Sequence, residues 1–320
     1  MCPGCGHDSI SQGIISTFYE LGIPPYQVVK LSGIGCSSKT PAYFLHPSHG
    51  FNAVHGRMPS VATGANVANR NLIVFGVSGD GDSASIGIGQ MIHAIRRNTN
   101  MVYVVENNGT YGLTKGQFSA TSDTGVPDHW GVKNDQTAID LPMLAIISGC
   151  SFVGRAFSGD RKQMVPLLKA ALAHEGCAFI DIMSPCVTFN DHPGSTKSYE
   201  YVKEHDEKLH DIDFIEEKSE IKIDYDEGSI RKVTLHDGSI ITLKKLDTVD
   251  YDPSNKVNAL KTLEEAYQKM EIVTGLIYFN ESRKDLVSHL KLPKKPLIEF
   301  GEKDLRPSQQ ALGELMKSLK

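Results

Sequence analysis

Residues 72–77 read Leu-Ile-Val-Phe-Gly-Val and break at once into Ser-Gly-Asp-Gly-Asp at 78–82. A continuous apolar run, rich in β-branched residues and ending so abruptly, predicts a strand buried on both faces of a parallel sheet. Residues 101–108, Met-Val-Tyr-Val-Val-Glu-Asn-Asn, repeat the pattern, and 83–97 between them has helical spacing with Asp82 or Ser83 as its N-cap. Strand, helix and strand in that order form a right-handed crossover. The alternation extends over residues 1–199. Helices are expected at 8–22, 57–70, 139–149 and 161–174, the last capped by Asp160, and strands at 27–32, 151–157 and 178–183. The fold class is therefore α/β, a mostly parallel sheet with helices on both faces.

In such sheets ligands bind beyond the carboxyl ends of the strands. The chemically loaded loops all begin there: GIGCSS at 33–38, SGDGD at 78–82, ENNGTYG at 106–112 and SPCVTFN at 184–190.

Charge density changes near residue 200. Residues 1–199 carry 13 basic and 13 acidic side chains, whereas 200–320 carry 20 and 25, so the whole net charge of −5 lies in the second stretch. Two units are expected, a site-bearing domain over 1–199 and a charged α+β extension over 200–320 that packs on it or on another subunit. The extension reads as a β-hairpin over 230–246 turned at Asp237-Gly238, with a possible third strand at 221–225. A helix at 256–270, a strand at 272–279 and helices near 283–290 and 307–319 follow. No stretch approaches the roughly 18 apolar residues of a membrane span, and no signal-peptide pattern opens the sequence. The negative balance speaks against a nucleic-acid surface. Six cysteines among 320 residues do not make a disulfide scaffold, so a cytoplasmic protein with reduced or metal-bound cysteines is expected.

Gly79-Asp80-Gly81 and Asn107-Asn108 are separated by 25 residues, 82–106. Mg²⁺ takes hard oxygen ligands in octahedral array and commonly shares them with phosphates. Asp80 offers a carboxylate, Asn108 an amide oxygen and Thr110 a backbone carbonyl, all from two neighbouring strand ends. Gly79, Gly81, Gly109 and Gly112 let backbone N–H groups approach a phosphate without an intervening Cβ, and the helix after Gly81 adds its dipole. Cys2 and Cys5 form a C-x-x-C pair whose spacing serves zinc, a disulfide, a redox couple or an iron–sulfur cluster alike. Cys150 and Cys177 stand in apolar surroundings and read as free buried cysteines.

The GDG-x25-NN pattern resembles the thiamine-diphosphate signature. CPGCGH (2–7), GIGCSS (33–38), HGRMPSVATG (55–64), VSGDGD (77–82), ENNGTYGLTKGQ (106–117) and SPC (184–186) together resemble the β subunit of 2-oxoacid:ferredoxin oxidoreductases. The hairpin followed by DYDPSN (250–255) is similar to the 2-oxoglutarate branch. The resemblance implies the thiamine-diphosphate-binding fold, with Mg²⁺ held by Asp80, Asn108 and Thr110. It implies cofactor contacts at Gly35, Cys36, Ser37, His55, Gly79, Gly81, Asp82, Tyr111, Gly112 and Leu113. It also implies a [4Fe–4S] cluster on Cys2, Cys5, Cys36 and Cys186. His55, Lys39 and Lys115 would serve the reaction, the lysines by binding the substrate's carboxylates, although His55 could instead cap the helix over 57–70. The reaction implied converts 2-oxoglutarate, coenzyme A and oxidised ferredoxin to succinyl-CoA, CO₂ and reduced ferredoxin. The same chemistry on pyruvate or another 2-oxoacid, and a non-oxidative thiamine-dependent decarboxylase, are the alternatives. A partner α subunit would supply the pyrimidine-binding domain and its glutamate, so the chain alone is expected to be inactive. No partner among nucleic acids or membranes is expected.

Overall fold

The computed structural model describes residues 2, 4–128, 130–190, 195–208, 230–234, 240–244 and 251–319. The elements up to the charge step are α1 (Gly6–Glu20), β1 (Val28–Ser32), β2 (His49–Asn52), α2 (Met58–Ala68), β3 (Ile73–Gly79), α3 (Ile88–Arg97), β4 (Met101–Asn107), β5 (Thr110–Tyr111), β6 (Gln117–Phe118), α4 (Leu141–Ile147), β7 (Phe152–Phe157), α5 (Arg161–Ala173), β8 (Cys177–Met183) and α6 (Tyr199–His205). Beyond it come β9 (Asp206–Lys208), β10 (Ile230–Thr234), β11 (Ile240–Lys244), α7 (Lys256–Lys269), β12 (Ile272–Phe279), α8 (Leu286–His289), α9 (Glu302–Leu305) and α10 (Gln309–Ser318).

Among the described residues the main sheet has eight strands in the order β2-β1-β3-β4-β8-β7-β12-β9. Every neighbouring pair is parallel except β7 with β12. Alternation along β4 shows why both faces are covered. Val102 and Val104 point into the core under α1 and α5, and Tyr103 and Val105 into the core under α2, α3, α4 and α7. In the first core Phe18 of α1 meets Phe44 and Phe75 with ring centroids 6.5 and 5.3 Å apart. Such aromatic pairs add about 0.5–1.5 kcal/mol each beyond burial, and here they tie the segment after Cys36–Ala42 to β3.

Residues beyond the charge step enter the same core. Ala259, Leu263, Val273 and Ile277 are buried with Val153 and Phe179, and β12 extends the sheet beyond β7. β10 and β11 pair antiparallel, Ile230 opposite Lys244, as a hairpin requires. Its expected turn at Asp237-Gly238 and the strand expected at 221–225 lie outside the described residues.

Two helix-start readings change. The segment expected as one helix over 83–97 is a π-type turn, Gly81–Ile86, followed by α3, whose N-cap is Gly87. Asp82 and Ser83 lie inside the π turn, so neither caps α3: the Asp82 carboxylate takes Gly56 N–H and Ser83 Oγ meets Tyr103 Oη at 2.8 Å. His55 does not cap α2, whose N-cap is Arg57. Asp160 does cap α5, accepting from the Gln163 N–H. β2, His-Gly-Phe-Asn, had no apolar run to announce it, because it is an exposed edge strand. No described helix is long and apolar enough to cross a membrane.

Candidate cofactor and metal site

Strand register brings the loops together. Ser32 is level with Val77, Gly79 with Glu106, and Asn107 with Met183. β1, β3, β4 and β8 therefore end at one edge of the sheet, and the loops after β1, β3 and β4 line one cavity of about 280 Å³. Its lining includes Gly35, Cys36, Ser37, His55, Gly79, Asp80, Gly81, Asp82, Asn108, Thr110, Tyr111, Gly112 and Leu113. Lys39 and Lys115 are not in the lining. Both are exposed, Lys39 in the turn Cys36–Ala42 and Lys115 immediately after the turn Gly112–Thr114, at φ +80°.

Asp80 is the charged floor of the cavity. It is 2 % exposed, and burial raises its carboxyl above the usual range; the Ser119 and Thr121 hydroxyls and backbone N–H donors oppose that shift, and among the described residues it makes no ion pair. Thr121 Oγ1 donates to Asp80 Oδ2 at 2.8 Å, and Asn108 N–H reaches Oδ1 at 3.4 Å. The Asn108 amide oxygen accepts from Thr110 N–H at 3.0 Å, which leaves it a second lone pair. A buried carboxylate lacking a cationic partner, next to an amide oxygen, fits a hard divalent cation.

Asp82 is occupied by protein. Its Oδ1 accepts the Gly56 N–H and its Oδ2 the Ser78 hydroxyl, both at 2.7 Å. Tyr111 roofs the neighbouring turn: its hydroxyl donates to Gly81 O at 2.9 Å, and a Cβ on Gly81 would stand 2.4 Å from its ring.

The cysteines separate into two groups. Cys36 and Cys186 Sγ lie 3.4 and 3.5 Å from the point a Gly112 Cβ would occupy, so both thiols face the cavity loop. Gly6 N–H donates to Pro185 O at 3.4 Å, folding the N-terminal loop over the end of β8. Burial pushes the Cys5 thiol up to about 11, with Cys186, Glu106 and Cys36 adding to the rise. Cys36 is raised by burial too, with Cys186 and Cys2 adding to it and Lys39 opposing. Among the described residues no three acidic, histidine or cysteine side chains converge on a point where a single ion would sit. Cys150 and Cys177 are buried free cysteines, at the opposite ends of β7 and β8, as expected.

Two cavity residues escaped the sequence reading. Glu106 is fully buried, and burial raises its carboxyl well above the usual range, opposed by the Thr40 hydroxyl at 2.9 Å. Burial pushes His7 down to about 4; its Nδ1 pairs with Ser184 Oγ at 2.5 Å, and its Nε2 lies 3.6 Å from Glu106. Burial disfavours the charged form of both side chains. Their signal was their place inside CPGCGH and ENNGTYG, but nothing local showed that the two motifs touch.

The model of the thiamine pyrophosphate enzyme C-terminal TPP-binding domain matches residues 33–182. A 2-oxoacid:ferredoxin oxidoreductase subunit beta of Saccharolobus solfataricus is 43% identical over 191 residues, which are 59% of this chain and 63% of that protein. The chain thus spans less than two thirds of that relative. The 2-oxoglutarate synthase subunit KorB of Methanocaldococcus jannaschii is 34% identical over 194 residues, 59% of this chain and 69% of that protein. A solved structure of the 2-oxoglutarate:ferredoxin oxidoreductase from Magnetococcus marinus, with 2-oxoglutarate, coenzyme A and succinyl-CoA bound, superposes with a TM-score of 0.77 at 29% identity. The superposition covers 100% of this chain and 92% of that one.

Proposed function

This chain belongs to the β subunits of the 2-oxoacid:ferredoxin oxidoreductases, and from that premise we propose that it is the cofactor-holding subunit of an enzyme oxidising 2-oxoglutarate. The products would be succinyl-CoA, CO₂ and reduced ferredoxin. One observation carries the reading: Cys36 lines the cavity that Asp80 and Asn108 floor, and its Sγ and that of Cys186 both lie within 3.5 Å of the place a Gly112 Cβ would take. A thiamine site and a redox centre would share that wall.

When bound, thiamine diphosphate supplies the nucleophilic carbon and electron sink for decarboxylation, and an iron–sulfur cluster supplies one-electron capacity. The chain's own residues hold and orient these groups. Asp80, Asn108 and the Thr110 carbonyl would hold Mg²⁺ next to the diphosphate. The turns at Gly79–Gly81 and Gly35–Ser37 offer backbone N–H groups to the anion. Tyr111, Gly112 and Leu113 close the cavity from the β4 side, and His55 borders its mouth beside Gly56. Cys2, Cys5, Cys36 and Cys186 would ligate the cluster as thiolates. Lys39 and Lys115, on exposed turns beside the cavity, attract the two carboxylates of the acid.

The choice of 2-oxoglutarate is supported by the names of the Methanocaldococcus and Magnetococcus relatives; the Saccharolobus relative is named for 2-oxoacids generally. A partner α subunit, carrying the glutamate that engages the pyrimidine, and ferredoxin complete the assembly. The experiment is copurification of the chain with its partners, analysis of iron, sulfide, magnesium and thiamine, and coenzyme-A-dependent dye reduction with a panel of 2-oxoacids. Fastest turnover of 2-oxoglutarate supports the reading. Faster turnover of pyruvate reassigns the substrate, and thiamine without iron overturns the oxidative reaction.

A further inference from the structure

Asp80 has two carboxylate oxygens in different surroundings, and the difference originates outside the GDG and NN motifs. Oδ2 accepts a 2.8 Å hydrogen bond from the hydroxyl of Thr121, on the loop after β6. Oδ1 receives the longer 3.4 Å approach of Asn108 N–H; the Ser119 hydroxyl also acts on the carboxylate and lies 3.2 Å from Thr121 Oγ1. The Thr121 hydroxyl is buried, 1 % exposed, and its single proton is shared with Asn107 Oδ1 at 2.9 Å. Asn107 is itself fixed: its Nδ2 donates to Asp181 Oδ1 at 3.0 Å. Asp181 Oδ2 accepts from Arg155 Nε at 2.9 Å, and Arg155 Nη2 donates to Asp140 Oδ2 at 2.7 Å. Asp140 is the N-cap of α4. A connected line of donors and acceptors thus runs from the cavity floor through β4, β8 and β7 to the far helix.

We propose that Thr121 is a positioning residue for the metal site: it holds Asp80 Oδ2 so that Oδ1 is the oxygen presented to the cation. The inference rests on the reading that Asp80 binds Mg²⁺. Partners that orient a metal ligand commonly change affinity 10- to 100-fold when removed, and a carboxylate free to rotate would lose the one direction that suits octahedral coordination. The Asn107–Asp181–Arg155 line sets where the Thr121 hydroxyl sits, because Asn107 Oδ1 competes for the same proton from a fixed position.

The test is an Mn²⁺ titration, read by loss of the free-ion electron paramagnetic resonance signal, on the full chain in its purified assembly with thiamine diphosphate present. Thr121→Val removes the hydroxyl at constant volume and is expected to weaken Mn²⁺ binding about 10-fold or more. Thr121→Ser, which restores the donor, should stay within about threefold of wild type. Asp80→Asn is the reference for loss of the ligand itself. If T121V does not fold, T121A is titrated in its place. A weakened valine or alanine variant with a rescued serine variant supports the proposal. Unchanged affinity without the hydroxyl, or a serine variant as weak as valine, overturns it while leaving the Asp80 site standing. Wild-type protein that binds no Mn²⁺, or binds it equally as D80N, overturns the metal-site reading and the inference with it.

Discussion

The backbone N–H of Gly56 donates to Asp82 Oδ1 at 2.7 Å. That bond fastens the turn before α2 to the turn after β3, two loops 26 residues apart in the chain, at the mouth of the cofactor cavity. Gly56 stands at φ +67°, and a Cβ there would lie 2.7 Å from Gly87 Cα, so the two backbones touch.

Asp82→Ala should therefore act through the shape of the cavity. It leaves the Gly56 N–H and the Ser78 hydroxyl without an acceptor, at a cost of about 1–3 kcal/mol each if they stay dry. Urea unfolding should show the loss. Thiamine diphosphate affinity, read by fluorescence quenching, should fall more in D82A than in D82N, which retains Oδ1. Equal affinity in both variants would count against the clamp.

Gly81→Ala places a methyl group 2.4 Å from the Tyr111 ring. Overpacking of this kind costs about 1–3 kcal/mol, and the displaced ring should lower cofactor affinity. Adding Tyr111→Ser removes the obstacle, so the alanine should cost less in that background. A double-mutant cycle with no coupling would rule out the ring contact as the cause.

Iron content distinguishes the six cysteines. Serine at Cys2, Cys5, Cys36 or Cys186 should reduce bound iron and sulfide and the visible absorbance, with Mg²⁺ and thiamine binding largely kept in the Cys2 variant. Alanine at Cys150 or Cys177 should leave iron unchanged, because both are buried at the other end of the sheet. Iron lost from the Cys150 or Cys177 variant, or retained in the Cys36 and Cys186 variants, would contradict the ligand set.

Lys39→Ala and Lys115→Ala should impair turnover of 2-oxoglutarate more than turnover of pyruvate, since only the dicarboxylate needs a second cation. Steady-state kcat/KM for both acids checks this. Parallel losses would remove the lysines from substrate selection.

Acid should loosen the fold partly through His174. It pairs with Ser151 Oγ at 2.7 Å and packs against the Phe152 and Phe279 rings, each 5.5 Å away, and burial pushes it down from 6.5 to about 4. Between those values the unfolded chain binds a proton that the folded chain does not. Stability should then fall as pH drops from about 6.5 toward 4, with no contribution above. Urea unfolding at pH 7.5 and 5.0 should show a smaller difference for His174→Gln than for wild type.

What the linear chain determined was local. The apolar runs at 72–77 and 101–107 became β3 and β4, and the hairpin strands formed where alternation placed them. GDG and NN sit at adjacent strand ends because parallel pairing through one crossover leaves no other arrangement. Burial periodicity and turn chemistry are properties of a short window, so they can be read without knowing the neighbours.

Tertiary structure decided the contacts made across distance. Residues 272–279 carry the signal of a strand, but only its pairing with β7 shows that it joins the main sheet, antiparallel. The π turn at Gly81–Ile86 forms where Asp82 is taken by Gly56 and Ser78, and no helix propensity reports that competition. His7, Glu106 and Thr121 owe their roles to partners 177, 66 and 41 positions away. A buried polar side chain must find a partner wherever the fold supplies one, and sequence distance carries no record of which one it will be.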